Sequence, residues 1–358
     1  MEFELPSNLR FIKELGKGGF GNVILCQNIC LNNTLQAVKI IINNSPNDKE
    51  RKNKEEILKQ LKDNIFEASI QAYLNDSDYI VNIYEAEPTD DGNFLIQMEF
   101  LEQGSLEKIL NENGFLNVDE VLKIAKCISF ALSYAHAKKI LHLDIKPGNI
   151  LKENSDVYKL SDFGLSGIKN SFGKTNFRSI YELNVTPEYL SGDKEATEQS
   201  DIYMFGITLY RLLNGPLFVL KQFREGNVKQ KTIDGKFPNR NKYLPHIPSR
   251  IIRIVNKCLN VDLNKRYKNM LEIRQDLGKI NCSYIWKKKN ISNNRLHWEC
   301  FQNNVKKFDL KCEINEKGIR DQKLTRFPSN RKIKKYCISK KTYKQLEKEI
   351  KKVFNDFF

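Results

Sequence analysis

The chain has 358 residues, 40% hydrophobic and 29% charged, a balance that excludes disordered, collagenous and disulfide-stapled classes and predicts two or three packed units. Lys and Arg total 59 against 44 Asp and Glu, and the resulting charge of +15 points to an acidic partner such as nucleic acid, phosphate or a membrane surface. Eight scattered cysteines with no CxxC pair indicate neither a zinc site nor a disulfide framework, and predict a reducing, intracellular setting.

The N-terminus, MEFELPSNLRF, begins acidic and lacks the basic stretch and apolar core of a secretory signal. Arg10 to Leu15, Gly21 to Gln27 and Thr34 to Ile42 are short apolar or β-branched runs separated by Gly and Asn, which predicts a meander of strands. The first two are joined by LGKGGFGNV (Leu15, Gly16, Lys17, Gly18, Gly19, Phe20, Gly21, Asn22, Val23), where missing side chains let backbone N–H groups approach a polyphosphate. Alone, the same run also reads as an ordinary hairpin turn. Lys39 follows in the apolar strand LQAVKI, where burying an ammonium is costly unless an anion receives it. Glu67, in the helical stretch FEASIQAYL, and a phosphate are the two candidate partners. From Asp48 to Asn64 the pattern sets Ile57, Leu58, Leu61 and Ile65 on one face of a solvated amphipathic helix. A strand pair is expected at Tyr79 to Glu85 and Phe94 to Phe100.

Beyond these strands the period changes to that of long helices, at Val118 to Lys138, Asp201 to Leu213 and Ser249 to Leu259. Strands first and helices later reads as α+β in two lobes. The most apolar run, Ile202 to Leu213, is far short of the roughly 20 residues of a membrane span and contains Arg211, so no span is expected. Between the first two helices lie HLDIKPGNIL (His142 to Leu151) and KLSDFGL (Lys159 to Leu165). They crowd Asp144, Lys146, Asn149 and Asp162 into short connections between apolar strands, as a magnesium and phosphate site needs. Carboxylate and amide oxygens suit a hard cation, Lys146 can neutralise a transferring phosphoryl group, and Asp144 can accept the proton of an incoming hydroxyl.

In this order the segments resemble a eukaryotic-type Ser/Thr protein kinase domain over about residues 9–279. GKGGFG resembles the glycine-rich loop, AVK the strand lysine, Glu67 the C-helix glutamate, HLDIKPGN the catalytic loop and DFG the metal-binding turn. Thr186-Pro187-Glu188 resembles the motif closing the activation segment, Arg266 its salt-bridge partner, and Asp201 the buried aspartate of the F-helix. The resemblance implies a bilobal fold, with a β-rich N-lobe over about 9–101 and a helical C-lobe over about 102–279. It implies ATP and Mg²⁺ as cofactors and a protein as substrate. Lys39, held by Glu67, would contact the α- and β-phosphates; Asp144 would be the catalytic base; Lys146 would touch the γ-phosphate; Asn149 and Asp162 would hold Mg²⁺. Adenine would lie between Val23 and Ala37 on one side and Leu151 on the other, with Met98 as gatekeeper and the backbone of Glu99 to Leu101 as hinge. The rival implication is a pseudokinase scaffold without chemistry.

Two departures from the family pattern stand out. The arginine usually found before the catalytic aspartate is Leu143, so the guanidinium that would receive an activation-loop phosphate is absent, and activity is expected not to depend on phosphorylation at Ser171, Thr175, Ser179 or Tyr181. SIYELNV replaces the usual Gly-Thr pair and tyrosine before Thr186, which reads either as altered hydroxyl specificity or as a loop shifted by an insertion or deletion.

Residues 1–279 hold 38 basic and 36 acidic side chains, and residues 280–358 hold 21 and 8, so the surplus belongs to a separate basic domain. SYIWKKK, RLHWECFQ and KKFDLKCEI alternate as short strands, and Ser339 followed by KKTYKQLEKEIKKVF predicts a capped terminal helix with an apolar face of Tyr343, Leu346, Ile350 and Val353 or Phe354. Three readings of this domain are open: nucleic-acid binding, with Trp286, Trp298, Phe301 and Tyr336 stacking on bases; docking of an acidic protein; or a solvated lysine-rich surface. His297 and the four cysteines of this segment are too scattered to predict a zinc site.

Overall fold

The computed structural model describes residues 5–18, 21–42, 54–89, 93–177, 182–280, 282–292, 295–314, 320–340 and 342–358. The elements run β1 (Leu9–Gly18), β2 (Gly21–Asn28), β3 (Thr34–Ile41), α1 (Lys54–Ala72), β4 (Ile83–Pro88), β5 (Phe94–Glu99), α2 (Leu106–Asn113) and α3 (Val118–Ala137). Short pieces follow: β6 (Ile140–Leu141), β7 (Ile150–Lys152), β8 (Tyr158–Leu160), β9 (Gly167–Ile168), β10 (Thr175–Asn176), α4 (Pro187–Leu190) and β11 (Glu195–Ala196). The helices α5 (Glu198–Asn214), α6 (Pro216–Arg224), α7 (Val228–Ile233), α8 (Ser249–Cys258) and α9 (Met270–Gly278) come next. The chain ends with β12 (Ile285–Ser292), β13 (Arg295–Gln302), β14 (Val305–Ile314), β15 (Arg320–Arg326), β16 (Arg331–Lys332), β17 (Ile338–Lys340) and α10 (Tyr343–Asp356). The residues divide into two compact units, Met1–Ile109 with Cys127–Val185 and Gly192–Met204, and Leu110–Lys126 with Thr186–Ser191 and Phe205–Phe358. No single described helix is long and apolar enough to cross a membrane.

In the first unit an antiparallel sheet of order β1-β2-β3-β5-β4 forms the expected meander. Its central strand β3 is buried along most of its length because neighbours cover both edges. Asn32 and Asn33 turn the chain between β2 and β3 in the left-handed region, which asparagine tolerates better than most side chains. Gly21 is required on steric grounds: at φ +136, a Cβ there would lie 2.3 Å from the carbonyl oxygen of Ile40.

Two expectations in this unit need correction. The buried face of α1 carries Asn64, Glu67, Ala68 and Gln71, spaced by three and four residues, while Ile65 is 46% exposed. Polar partners explain the reversal, since Glu67 meets Lys39 and Gln71 donates to the Val81 carbonyl at 2.8 Å. Leu61 packs from the same face against the cluster that holds Ala68, Phe94 and Ile96; the side chains of Ile57 and Leu58 lie outside the described ones. The strand expected at Tyr79 to Glu85 begins only at Ile83, because the backbone of Tyr79 and Val81 bonds to Leu160 of β8 instead.

In the second unit, residues 280–358 fold as the antiparallel sheet β12-β13-β14-β15-β16, with β17 also on β15, closed on one face by α10. The alternation seen in sequence sends Trp298, Cys300, Leu310, Cys312 and Leu324 inward, onto Leu346, Ile350, Val353 and Phe354 of the helix. Tyr343 is 48% exposed and is not part of that face. The helix cap is Thr342, whose hydroxyl accepts from the Gln345 N–H, and Ser339 belongs to β17. The domain also packs on its own unit: His246 stacks on Phe115 at 4.6 Å and sits about 6 Å from the rings of Trp298 and Phe354. Burial, followed by the nearby Lys288 ammonium, lowers the pKa of His246 to about 3, so this imidazole is uncharged at neutral pH.

Candidate active site

Lys39, Glu67 and Asp162 meet in the first unit. The Lys39 Nζ donates to Glu67 Oε1 at 2.6 Å and to Asp162 Oδ1 at 3.1 Å, and Lys39 and Glu67 are each more than nine-tenths buried. Burial pushes the lysine down, but the two carboxylates outweigh it and hold the ammonium above its ordinary range. Burial likewise works against ionised Asp162, and Lys39 followed by Lys146 keeps its carboxyl below the usual range. Gly164 makes this approach possible, since a Cβ there would lie 2.9 Å from Glu67 Oε2 and 3.3 Å from Asp162 Oδ1. Asp162 itself takes a left-handed φ of +61, a conformation that costs energy outside a site that enforces it.

The second group sits on the turn after β6. Asp144 is 2% exposed, and its Oδ2 accepts from Lys146 Nζ at 2.6 Å and Asn149 Nδ2 at 2.9 Å. Its Oδ1 is buried with no hydrogen-bond partner among the described residues. A carboxylate with one oxygen tied and the other free is placed to accept a proton. Because Asn149 Nδ2 also donates to the Asp144 carbonyl, the amide oxygen of Asn149 remains as the hard donor a divalent cation would use with Asp162.

Asp201 holds this turn from below. Its carboxylate accepts from the backbone N–H groups of His142 at 2.9 Å and Leu143 at 2.8 Å, and from His136 Nε2 at 2.8 Å. These bonds support Leu143 at a φ of +64, strained for a branched side chain. Sequence reasoning did not single out His136, whose only sequence signal is a lone histidine near a helix end. It also missed Lys159, which pairs with Glu99 at 2.6 Å and so fixes the hinge to β8.

The residues expected around adenine are arranged by sheet register. Ala37 lies opposite Met98, Val23 opposite Lys39, and Leu151 pairs with Lys159 and bridges to Ser105. Along the glycine-rich strand Leu15, Gly16, Lys17 and Asn22 flank the turn, with Gly18 paired to Gly21; Gly19 and Phe20 lie outside the described residues. The hinge expectation narrows. The Glu99 N–H is taken by the Asn82 carbonyl and the Leu101 carbonyl by the Gly104 N–H, so neither of these two groups is open to adenine.

Ser179 and Tyr181 of the activation segment lie among residues 178–181, outside the described ones. β9 pairs with β6 and β10 with β11, and Asn184 Nδ2 donates to the Ile145 carbonyl at 2.9 Å. Leu143, where an arginine was absent, packs with Leu141, Ala196 and Phe177. In the second unit Arg266 clasps Glu188 with two bonds of 3.1 Å.

Outside this site, three of the four aromatics considered for base stacking, Trp286, Trp298 and Tyr336, are core residues of the C-terminal sheet and unavailable to a base. His297 has Glu299 and Asp309 beside it, not cysteines, and the Lys306 ammonium already bridges both carboxylates at 2.7 and 2.9 Å.

The protein kinase domain family matches residues 9–276. The "Probable serine/threonine-protein kinase PknB" of Lactococcus lactis is 29% identical over 282 residues, which cover 75% of this chain and 41% of that protein. The serine/threonine-protein kinase PrkC of Bacillus subtilis is 29% identical over 275 residues, 76% of this chain and 40% of that protein. A "Probable serine/threonine-protein kinase" of Clostridium acetobutylicum is 28% identical over 283 residues, 78% and 41% respectively. The chain therefore spans about two-fifths of the length of these curated relatives.

Proposed function

The chain belongs to the protein kinase domain family, and from that premise we propose that it transfers the γ-phosphoryl group of ATP to Ser or Thr hydroxyls of protein substrates, its own among them. The observation that carries the reading is Asp144, a buried carboxylate with Oδ2 anchored by Lys146 and Asn149 and Oδ1 unpartnered. The substrate hydroxyl oxygen forms the new bond to the γ-phosphorus, the bond to the β-phosphate oxygen breaks, ADP departs, and the hydroxyl proton passes to Asp144 Oδ1. Lys146 offsets charge on the transferring group, and Lys39, held charged between Glu67 and Asp162, orients the α- and β-phosphates. Mg²⁺ held by Asn149 and Asp162 would neutralise phosphate charge when bound. The backbone of Glu99 to Leu101 would serve the adenine edge, between Val23 and Ala37 and above Leu151. The assembled Lys39–Glu67–Asp162 group favours an active enzyme over a pseudokinase scaffold, which needs none of it.

We assign the kinase domain to residues 9–279 and a recruitment role toward an acidic partner to residues 280–358, on the basis of their 21 basic against 8 acidic side chains. Eight free cysteines, five of them buried, agree with an intracellular setting. The test is labelled-ATP transfer by wild type and Asp144→Asn in cell lysate, with phosphorylated residues identified by mass spectrometry. Loss of about 10²–10⁴-fold in the variant is expected for a missing general base; equal labelling overturns the proposal.

A further inference from the structure

One face of the C-terminal sheet is closed by α10, and the two-residue period of its strands directs the remaining side chains to the opposite face. Four carboxylates lie there: Glu313 faces Asp321 across β14 and β15 and has Arg295 at 3.7 Å, and Glu299 and Asp309 are already neutralised, because Lys306 bridges both, Lys289 pairs with Glu299 at 3.0 Å, and His297 with Asp309 at 2.9 Å. Three lysines on the same face are not. Lys311 of β14 stands directly across from Lys323 of β15, and Lys332 of β16 stands across from Thr325, diagonal to Lys323. All three are exposed, and none has an ion-pair partner among the described residues. Like charges set directly opposite on a sheet destabilise it; the diagonal Asp321 and Glu313 offset the Lys311–Lys323 pair in part, and an anion lying along the row relieves the rest.

The anion's identity is read from what borders the row. Phe327, at the turn from β15 into β16, is 42% exposed, and Lys306 Nζ lies 5.1 Å from its ring centre. An acidic peptide would satisfy the lysines but offers nothing to stack on a flat aromatic ring beside a cation; a nucleobase does. We propose that this face docks single-stranded nucleic acid, with Lys311, Lys323 and Lys332 on consecutive phosphates and Phe327 under a base. The inference rests on reading residues 280–358 as a recruitment element, and it replaces the buried aromatics with an exposed one.

The test is fluorescence anisotropy of the full-length protein with a labelled 20-nucleotide single-stranded RNA between 50 and 200 mM KCl. Each phosphate contact contributes about −0.7 to the slope of log affinity against log salt, so Lys311→Gln/Lys323→Gln/Lys332→Gln should flatten the slope by about 2. Phe327→Ala should weaken binding at least about fivefold and leave the slope unchanged. Thermal melting at the wild-type temperature establishes that these surface variants are folded. An unchanged slope in the triple variant overturns the proposal. Binding to a polyglutamate peptide but not RNA overturns the nucleic-acid assignment and keeps the recruitment role, whereas binding to neither overturns both.

Discussion

Truncating Phe177 to alanine tests whether an apolar contact does here what a phosphate–arginine pair does in kinases that carry the arginine. The ring packs on Leu141, Leu143 and Ala196, all essentially buried, while Phe177 itself is partly buried. A fully buried Phe→Ala change costs about 3–5 kcal/mol, so a partly buried one is worth at least about 2 kcal/mol. Other ties on this stretch include the two-residue β10–β11 ladder, the Phe177 N–H bond to the Lys194 carbonyl at 3.1 Å, which a Phe177→Ala change leaves in place, and an exposed Lys174–Glu195 pair. Losing about 2 kcal/mol shifts the docked-to-displaced ratio of the segment about 30-fold, at tenfold per 1.4 kcal/mol. With phosphatase-treated enzyme, kcat/KM for a protein substrate should therefore fall between tenfold and 30-fold in Phe177→Ala and hold in Phe177→Leu. Ser171→Ala/Thr175→Val should stay near wild type. Wild type that is inactive until phosphorylated, or Phe177→Ala within twofold of wild type, would refute the reasoning.

Three further outcomes are expected. In Gly164→Ala the new methyl would collide with the Glu67 carboxylate at 2.9 Å and loosen Lys39, so kcat/KM should drop at least about tenfold with an unchanged melting temperature; wild-type kinetics would count against the Glu67–Lys39 geometry. Ile350→Ala, at a position 1% exposed, should cost about 2–4 kcal/mol in urea unfolding. Intrinsic fluorescence follows that transition, because both tryptophans, Trp286 and Trp298, lie in the same core. The third concerns pH. Glu198 is lowered to about 2, first by its hydrogen bond to His136 and then by Lys169, so its contribution is present above about pH 4.5 and lost as pH falls toward 2. His136 is pushed down by burial but held above 6.5 by Asp201 and Glu198, so its contribution is present below pH 6.5 and lost as pH rises through the raised value. Melting temperatures from pH 4 to 9 should show His136→Gln with a flatter alkaline limb than wild type; identical limbs would remove the histidine from the account.

The chemistry was legible in the chain because it depends on residue type at short spacing. Asp144, Lys146 and Asn149 share one turn, Asp162 and Gly164 another, and no tertiary knowledge is needed to see that hard-cation donors and a base lie together. Lys39 announced its need for an anion by standing in an apolar strand. What misled was burial. Ile65 faces solvent and Glu67 and Gln71 face inward because Lys39 and the Val81 carbonyl arrive on the polar side of α1.

The basic domain shows the same division. Its charge surplus and alternating strands follow from the sequence, but β15 to β17, the cap at Thr342 and the burial of both tryptophans under α10 depend on which strand pairs with which. Sequence alone determined the kinds of groups available, their order along the chain and their local period. Tertiary structure alone decided that Asp162 joins Glu67 on Lys39, that Leu143 takes an apolar partner in Phe177, and that Lys311 stands across from Lys323. The physical reason is that a side chain's environment is made by segments tens to hundreds of residues away, and its own neighbours in sequence carry no record of them.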